Sequence, residues 1–404
     1  MGKITLLREA VPAAPGANYV DILQDSTDPF RIKAIDSRGL IHTLSRYNVS
    51  ANYLYNGDFP LRQRVAAALT NFTGSATDRV FTADRWGHTT GNTTTPQYQQ
   101  VDTNITPESG ITARYYGLFK QLTNAAKICV SQSLIASDCL ELRGAKVRFQ
   151  VKMRKSVGAD KTVNIGILQL TSAGTVDVIP ATFISAFNGA GVDPTFGANL
   201  ALIAPDADKL DNTAVSGNKL TCAITSTWQR FSGVFTLPTT FKNLVLVVFT
   251  NDTLAVNDDL LLTECGLYAG QDILDFGSRD YVDEVGRCQQ FYCKTFALGT
   301  VPVTNAGINT GEAKGIAGKA GAVANSGVIG WRFPIRMWKT PTTVTVYNPG
   351  AANALIRNLT GAADMGATAL TAQLDSSAMA IATGVAATAV GDQIGLHFSA
   401  VAEL

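Results

Sequence analysis

Hydrophobic positions in this chain recur mostly with a period of two. The cleanest case is Lys146 to Arg154, where Val147, Phe149, Val151 and Met153 alternate with Lys146, Arg148, Gln150, Lys152 and Arg154. That pattern predicts a strand with one buried face and one face in water. Val163 to Leu170, Arg230 to Leu237, Leu244 to Phe249 and Asp259 to Leu262 predict further strands, separated by turn clusters of Gly, Asn, Asp and Pro. An antiparallel two-sheet sandwich over residues 49–275 is the natural closure. One stretch breaks the period: Ser278 to Cys293 places Tyr281, Val285, Cys288 and Tyr292 at helical spacing, with Ser278 or Asp280 as cap and Asp283 and Glu284 in the first turn. A single helix is therefore expected within 276–297, docking its apolar stripe on the sandwich or on copies of itself.

The two ends have other textures. Residues 1–48 carry Pro12, Pro15, Gly16 and a turn at Asp36-Ser37-Arg38-Gly39, with no pattern long enough for a core, and read as an attachment segment. Residues 298–404 start Gly- and Ala-rich, pass through Trp331 to Trp338 and the β pattern Thr342 to Tyr347, and end in a tail whose sole aromatic from Asn348 onward is Phe398. That tail has five charged residues, Arg357, Asp364, Asp375, Asp392 and Glu403. So few large side chains predict packing between chains rather than an independent core, and hence an oligomer with a C-terminal β trimerisation domain.

Composition narrows the function. Of 404 residues 33 are basic and 32 acidic, a net charge of +1, and only 16% are charged against 46% apolar. Such a balance suits a folded β-rich chain and argues against a nucleic-acid partner. The longest apolar run, Leu244 to Phe249, is far short of the ~20 residues of a membrane helix, and Arg8 and Glu9 interrupt the N-terminal apolar stretch before it could serve as an export signal. Six cysteines (Cys129, Cys139, Cys222, Cys265, Cys288, Cys293) are too sparse for a disulfide scaffold, although Cys129 with Cys139, or Cys288 with Cys293, lie close enough in sequence to pair.

Reactive chemistry is scarce. His42, His88 and His397 are the only histidines and lie in separate segments, so neither a zinc cluster nor a Ser/His/Asp triad has a local signature. Gly318-Lys319 lacks the flanks of a phosphate loop, since Ala313 and Ala320 stand where Gly and Ser or Thr are needed. Asp206, Asp208 and Asp211 read as a solvated loop, lacking the bidentate Glu of a calcium loop. No cofactor, metal or catalytic residue is assigned from the sequence.

Several short stretches, taken together, resemble a known architecture. Tyr55-Asn56-Gly57-Asp58-Phe59 with Gln63-Arg64 and Thr82-Ala83-Asp84-Arg85-Trp86 resembles the opening of the jelly-roll domain in many tailed-bacteriophage fibre and spike proteins. Cys139-Leu-Glu-Leu-Arg-Gly-Ala-Lys-Val-Arg-Phe149, Thr227-Trp228-Gln229-Arg230-Phe231 and Phe235-Thr236-Leu237-Pro238 resemble later strands of that domain. Leu267-Tyr268-Ala269-Gly270, Arg279-Asp280-Tyr281, Glu284 and Arg287-Cys288-Gln289-Gln290-Phe291-Tyr292 resemble its closing strand and following helix, with Gln290 and Phe291 in place of the usual Arg and Tyr. Phe333-Pro334 to Met337 and Pro341-Thr342 resemble the start of the C-terminal domain. The Asn-Gly-Asp-Phe opening is also similar to that of jelly-roll carbohydrate-binding modules, where a structural Ca²⁺ can sit between first and last strands. Asp58 and Glu264 would be the carboxylates so placed here, too few for the ion by themselves.

The resemblance implies an all-β, non-enzymatic homotrimer on the exterior of a virion, attached to other virion proteins through residues 1–48 and adhering to a host surface glycan. It implies neither membrane insertion nor a nucleic-acid partner. Tyr98, Tyr115 and Tyr116 are the candidate sugar-stacking residues, and trimerisation would multiply weak single-site affinity. A neck, collar or head-decoration fibre acting as a spacer or a docking platform for another fibre is the alternative. A polysaccharide depolymerase, needing two carboxylates facing each other across a groove, is the third reading.

Overall fold

The computed structural model describes residues 21–24, 31–35, 41–45, 52–91, 95–104, 106–271, 275–323, 327–365, 368–383 and 386–404. Asp21–Gln24, Arg31–Ile35 and Ile41–Ser45 form a three-stranded antiparallel meander. The rest of the expected attachment segment lies outside the described residues.

The fold is all-β, and its centre is a sandwich. One sheet has six strands in the order Gln229–Thr236, Lys146–Arg154, Asp259–Ala269, Tyr115–Gln121, Pro96–Asp102 and Thr70–Asn71. The other runs Thr213–Ser216, Lys219–Ile224, Lys161–Leu170, Asn243–Phe249, Ile128–Leu134, Trp86–Thr90 and Val80–Ala83, with Leu200–Leu202 added beside Lys161–Leu170. Every pairing is antiparallel, which lets turns rather than crossovers join neighbours. Between the sheets lie Phe59, Trp86, Phe119, Phe149, Phe231 and Phe235, the large side chains that fill the gap of roughly 10 Å between packed sheets.

The strand predicted at Lys146 to Arg154 forms with that span, and its odd-numbered residues enter the core. The expected wet face is a correction: Arg148 and Gln150 are buried too. A loop folds over the outer face, and Arg148 donates to Gln271 O (2.8 Å), Ser232 Oγ (2.8 Å) and Lys209 O (2.9 Å), so burial leaves few of its protons unpaired. The Asn243–Phe249 strand is apolar from Leu244 onward because it too is covered on both sides. Leu244, Leu246 and Val248 face the inter-sheet core, while Val245, Val247 and Phe249 meet Ile179, Phe183 and Ile184 on the other face.

The helix spans Tyr281–Gln289, with the Asp280 side chain accepting from Val282 N (2.8 Å) as its cap. Its docked face is Glu284, Val285 and Cys288, whereas Tyr281, expected in the apolar stripe, is half exposed. One further helical turn, Ala136–Cys139, continues into a 3₁₀ turn at Leu140–Leu142; no periodicity announced so short a piece.

The motifs of the opening converge where the helix docks. Asn56, at φ +50°, donates from Nδ2 to Asp84 O (3.0 Å) and Leu61 O (3.2 Å), and its carbonyl accepts from Trp86 Nε1 (3.0 Å). Its backbone N–H donates to Glu284 of the helix, and Arg279 Nη1 donates to Leu54 O (2.6 Å). Gly57 is needed for another reason than a left-handed turn: any Cβ there would collide with the Cys265 carbonyl oxygen, whose own N–H donates to Gly57 O (2.9 Å).

Residues 290–404 make a second apolar cluster, and this corrects the expectation of a coreless tail. Tail residues Ile356, Met365, Met379, Ile381, Ile394, Leu396 and Phe398 pack against Ile329, Phe333, Met337 and Val346 from before Asn348. The Gln393–Val401 strand is its axis: Tyr292–Lys294, Thr343–Tyr347, Ala313–Ile316 and Arg357–Asn358 all pair with it. The tail thus shares a core with the segment preceding it, which removes sparse packing as a reason for trimerisation.

The two regions are joined by buried charge. Glu403 pairs with Arg85 and with Arg64 (2.7 Å), while Arg85 lies 3.4 Å from the centroid of the Phe291 ring and Arg64 4.0 Å from that of Tyr292. Lys339 Nζ donates to Glu403 O (2.8 Å), and Arg79 to Leu404 O.

Candidate functional site

An open cleft of about 520 Å³ lies beside the six-stranded sheet. Its floor is Gln99, Gln100, Val101 and Asp102 from one strand and Tyr115 from the next. Pro60, Arg62 and Ala67, from the segment after the Asn56 network, line it as well, as do Tyr281 of the helix, Leu298 and Gly299. The network that joins the opening segment to the helix therefore holds two of the segments that line the cleft.

Asp102 is held by Arg114 through Nε (2.8 Å) and Nη2 (2.8 Å); this hydrogen-bonded pair lowers the Asp102 pKa and raises that of Arg114. Arg114 also lies over the Tyr115 ring, 4.9 Å from its centroid. Gln99 Nε2 donates to Ala67 O (3.3 Å), which turns the amide towards the cleft wall. Burial raises the Tyr281 phenol pKa, with a smaller opposing pull from Arg62, so at neutral pH it is a hydroxyl able to donate and accept. Arg62 Nη1 is buried and without a hydrogen-bond partner.

The three tyrosines singled out in the sequence separate. Tyr115 lines the cleft. Tyr98 does not: it is fully buried, its ring 5.1 Å from that of Phe119, because its strand turns it to the inter-sheet core. Tyr116 is buried on the outer face against Trp228 (5.3 Å between ring centroids), its hydroxyl donating to Glu108 (2.9 Å). Both are corrected from exposed stackers to packing residues. The cleft residues the sequence reading missed are Arg62, Gln99 and Tyr281. Their signal was present for Arg62, which stands between the inward-facing Leu61 and Gln63 in an alternating stretch.

The remaining candidates are structural. Glu264 is spent on Thr112 Oγ1 (3.0 Å), Ala113 N (3.1 Å) and Lys152 Nζ (2.8 Å), and Asp58 accepts from Ser278 Oγ (2.6 Å). Among the described residues no group of three or more His, Cys, Asp or Glu side chains is placed to hold a metal ion. All six cysteines are free and buried, and burial pushes the thiols of Cys139 and Cys293 up to about 12. His88 and His397 are buried; the side chain of His42 lies outside the described residues. Asp206 pairs with Lys146 (2.8 Å) and Asp211 with Arg230 (2.7 Å). No described helix is long and apolar enough to cross a membrane.

A second cleft, of about 600 Å³, lies in the C-terminal region between Trp331, Arg332, Leu374 and Met379. Its one carboxylate, Asp375, accepts from Ser377 N (2.6 Å), Ser377 Oγ (2.7 Å) and Ala378 N (2.9 Å), and so closes a turn.

No family model matches the chain, and no curated protein matches it. Among solved structures it is similar to a CBM4 module at 12% identity, covering 53% of this chain and 98% of that one, with a TM-score of 0.25. It is similar to the C-terminal family 22 carbohydrate-binding module of Clostridium thermocellum Xyn10B at 13% identity, covering 54% and 98%, TM-score 0.29. The enzymatically active domain of bacteriophage CBA120 tailspike protein 4 is similar at 10% identity over 54% of this chain and 21% of that one, TM-score 0.29. Likenesses so distant leave function to the chemistry of the cleft.

Proposed function

We propose that the chain is a non-enzymatic glycan-binding protein that holds an oligosaccharide in the cleft beside the six-stranded sheet. The observation that carries this is that Tyr115 and Tyr281 line one cleft together with Gln99 and Arg62. Aromatic rings cover the apolar face of a sugar, while amide and guanidinium groups satisfy its hydroxyls. Binding without cleavage is supported by the carboxylates: Asp102, the one lining this cleft, is tied to Arg114, and hydrolysis needs a facing pair.

The motif resemblance extends the proposal to a tailed-phage fibre or spike, trimeric and exposed on the virion, with residues 1–48 as the attachment. Avidity would then make a shallow, weak cleft sufficient.

The test is to incubate purified protein with host capsule or lipopolysaccharide. Retention on the glycan without new reducing ends is expected, and Tyr281→Ala should weaken it about tenfold with an unchanged unfolding midpoint. Release of reducing ends would make the protein an enzyme, and undiminished binding by Tyr281→Ala would move the site elsewhere. A mass in sedimentation three times 42.8 kDa is expected for the trimer; a monomer at micromolar concentration would remove that part.

A further inference from the structure

Arg62 differs from the other charged groups around the cleft in having no bonded counter-charge: it helps lower the Asp102 pKa without touching that carboxylate, which is bonded to Arg114. Asp102 is neutralised by Arg114 through two hydrogen bonds, and Asp84 accepts from Gln63 N (2.8 Å) and Nε2 (3.1 Å). Arg62 forms no ion pair with any described residue, and its Nη1 is shut off from solvent with nothing to donate to. The Tyr98 hydroxyl, buried and also without a partner, feels the Arg62 charge. Lys294 adds a second cation nearby. Its ammonium is spent on Gln63 O (2.7 Å), Leu298 O (2.9 Å) and Thr300 O, and burial pulls its pKa down to about 8, with Arg62 contributing in the same direction.

Arg62 is half-buried, and the one nitrogen it keeps from water without a partner carries a cost to the fold. A ligand anion would pair with the part of the guanidinium that the cleft exposes, where the planar fork of Arg presents N–H groups suited to the oxygens of a carboxylate or sulfate. The flanking aromatics, Tyr115 and Tyr281, fit a sugar ring beside that anion.

We propose that the glycan bound in the cleft is an acidic one, its sugar carboxylate or sulfate pairing with Arg62 while Tyr115 and Tyr281 hold the ring. This rests on the glycan-binding reading above and names the class of sugar.

The full-length chain, R62Q and R62K are titrated calorimetrically with a galacturonate oligosaccharide and its carboxyl-reduced form, and with a sulfated galactan oligosaccharide and its desulfated form. At least one anionic member should bind about tenfold more tightly than its neutral partner, R62Q should erase that preference, R62K should keep part of it, and added salt should weaken it. Which anionic member wins identifies carboxylate or sulfate as the group read. Unfolding midpoints of both variants confirm that the comparison is made on folded protein. Equal binding of anionic and neutral sugars, or a preference that survives in R62Q, overturns the acidic-sugar inference while leaving the cleft as a glycan site. Absence of binding to every member overturns both.

Discussion

The sandwich and the C-terminal region bury apolar surface with different materials. Between the sheets, Trp86, Phe59, Phe119, Phe149, Phe231 and Phe235 span the gap, and several touch ring to ring, as Phe59 does with Trp86 at 5.5 Å and Phe119 at 6.2 Å. Around the Gln393–Val401 strand the core is Ala313, Ala317, Ala400 and Ala402 with Ile, Leu and Met, and Phe333 and Phe398 are its buried rings. Less apolar area per residue means less stabilisation at roughly 25 cal/mol per Å². The C-terminal region therefore depends on its joint with the sandwich, where Phe291 and Leu404 contact the larger core and Glu403 meets two arginines.

The joint is the place to break this dependence. Glu403→Ala would leave Arg85, 1% exposed, buried beneath the Phe291 ring with no carboxylate, a loss on the order of 3–5 kcal/mol. Urea unfolding followed by Trp fluorescence and by far-UV circular dichroism should show one transition in the parent and an early C-terminal step in the variant. A variant that unfolds at the parental midpoint would mean that the two regions hold themselves up separately.

Met379→Ala probes the weaker core directly, since Met379 is buried among Phe333, Ile381 and Phe398. The expected loss is about 2–4 kcal/mol. Limited proteolysis should then cut within residues 298–404 first, leaving the sandwich intact. Equal protection of both regions would show that they melt as one unit.

Gly57→Ala attacks the sandwich from its opening turn. The added methyl meets the Cys265 carbonyl oxygen, which is backbone and cannot swing aside, so the opening turn and the Asp259–Ala269 strand must move apart at a cost of about 1–3 kcal/mol. Because Asn56 and Glu284 are tied at the same point, glycan binding should weaken as well. Loss of stability with unchanged binding would separate the turn from the cleft.

What was legible in the sequence divides along the same line. Alternation at Val147, Phe149, Val151 and Met153 reveals a strand because each pleat has one consistent partner, the inter-sheet core. Burial of Arg148 on the opposite face was not legible, since it depends on a loop around Lys209 more than 50 residues away along the chain. Tyr98, Tyr115 and Tyr116 look equivalent as exposed aromatics, but the pleat puts Tyr98 and Tyr115 on the inner face and Tyr116 on the outer one, and Tyr115 reaches the cleft because it stands at the end of its strand. The tail seemed starved because its partners, Ile329, Phe333 and Met337, precede it; composition counted within a segment misses a core shared across segments.

The smallest effect compares two buried histidines, one in each region. His88 lies among Phe72 (5.3 Å) and Phe119 (5.6 Å), with neither ring nitrogen hydrogen-bonded, and burial pulls its pKa down to about 3. His397 is stacked on Phe296 (4.1 Å) between Thr295 Oγ1 (2.9 Å) and Thr310 Oγ1 (2.9 Å), and burial lowers its pKa against an opposing pull from Glu312. Below about pH 6.5 the unfolded chain takes up a proton at His88 that the folded chain refuses until about pH 3, so stability falls as pH drops through that window and is retained above it. The buried carboxyls Asp58 and Asp84, raised by desolvation, act in the opposite sense, so the histidine contribution must be read as a difference from the parent. His88→Phe gives up no hydrogen bond and should flatten the decline in urea midpoint between pH 7 and pH 4. His397→Phe gives up both hydroxyl contacts and should lower the midpoint at every pH. If His88→Phe follows the parental curve, water reaches the imidazole and the sandwich core at that point is open.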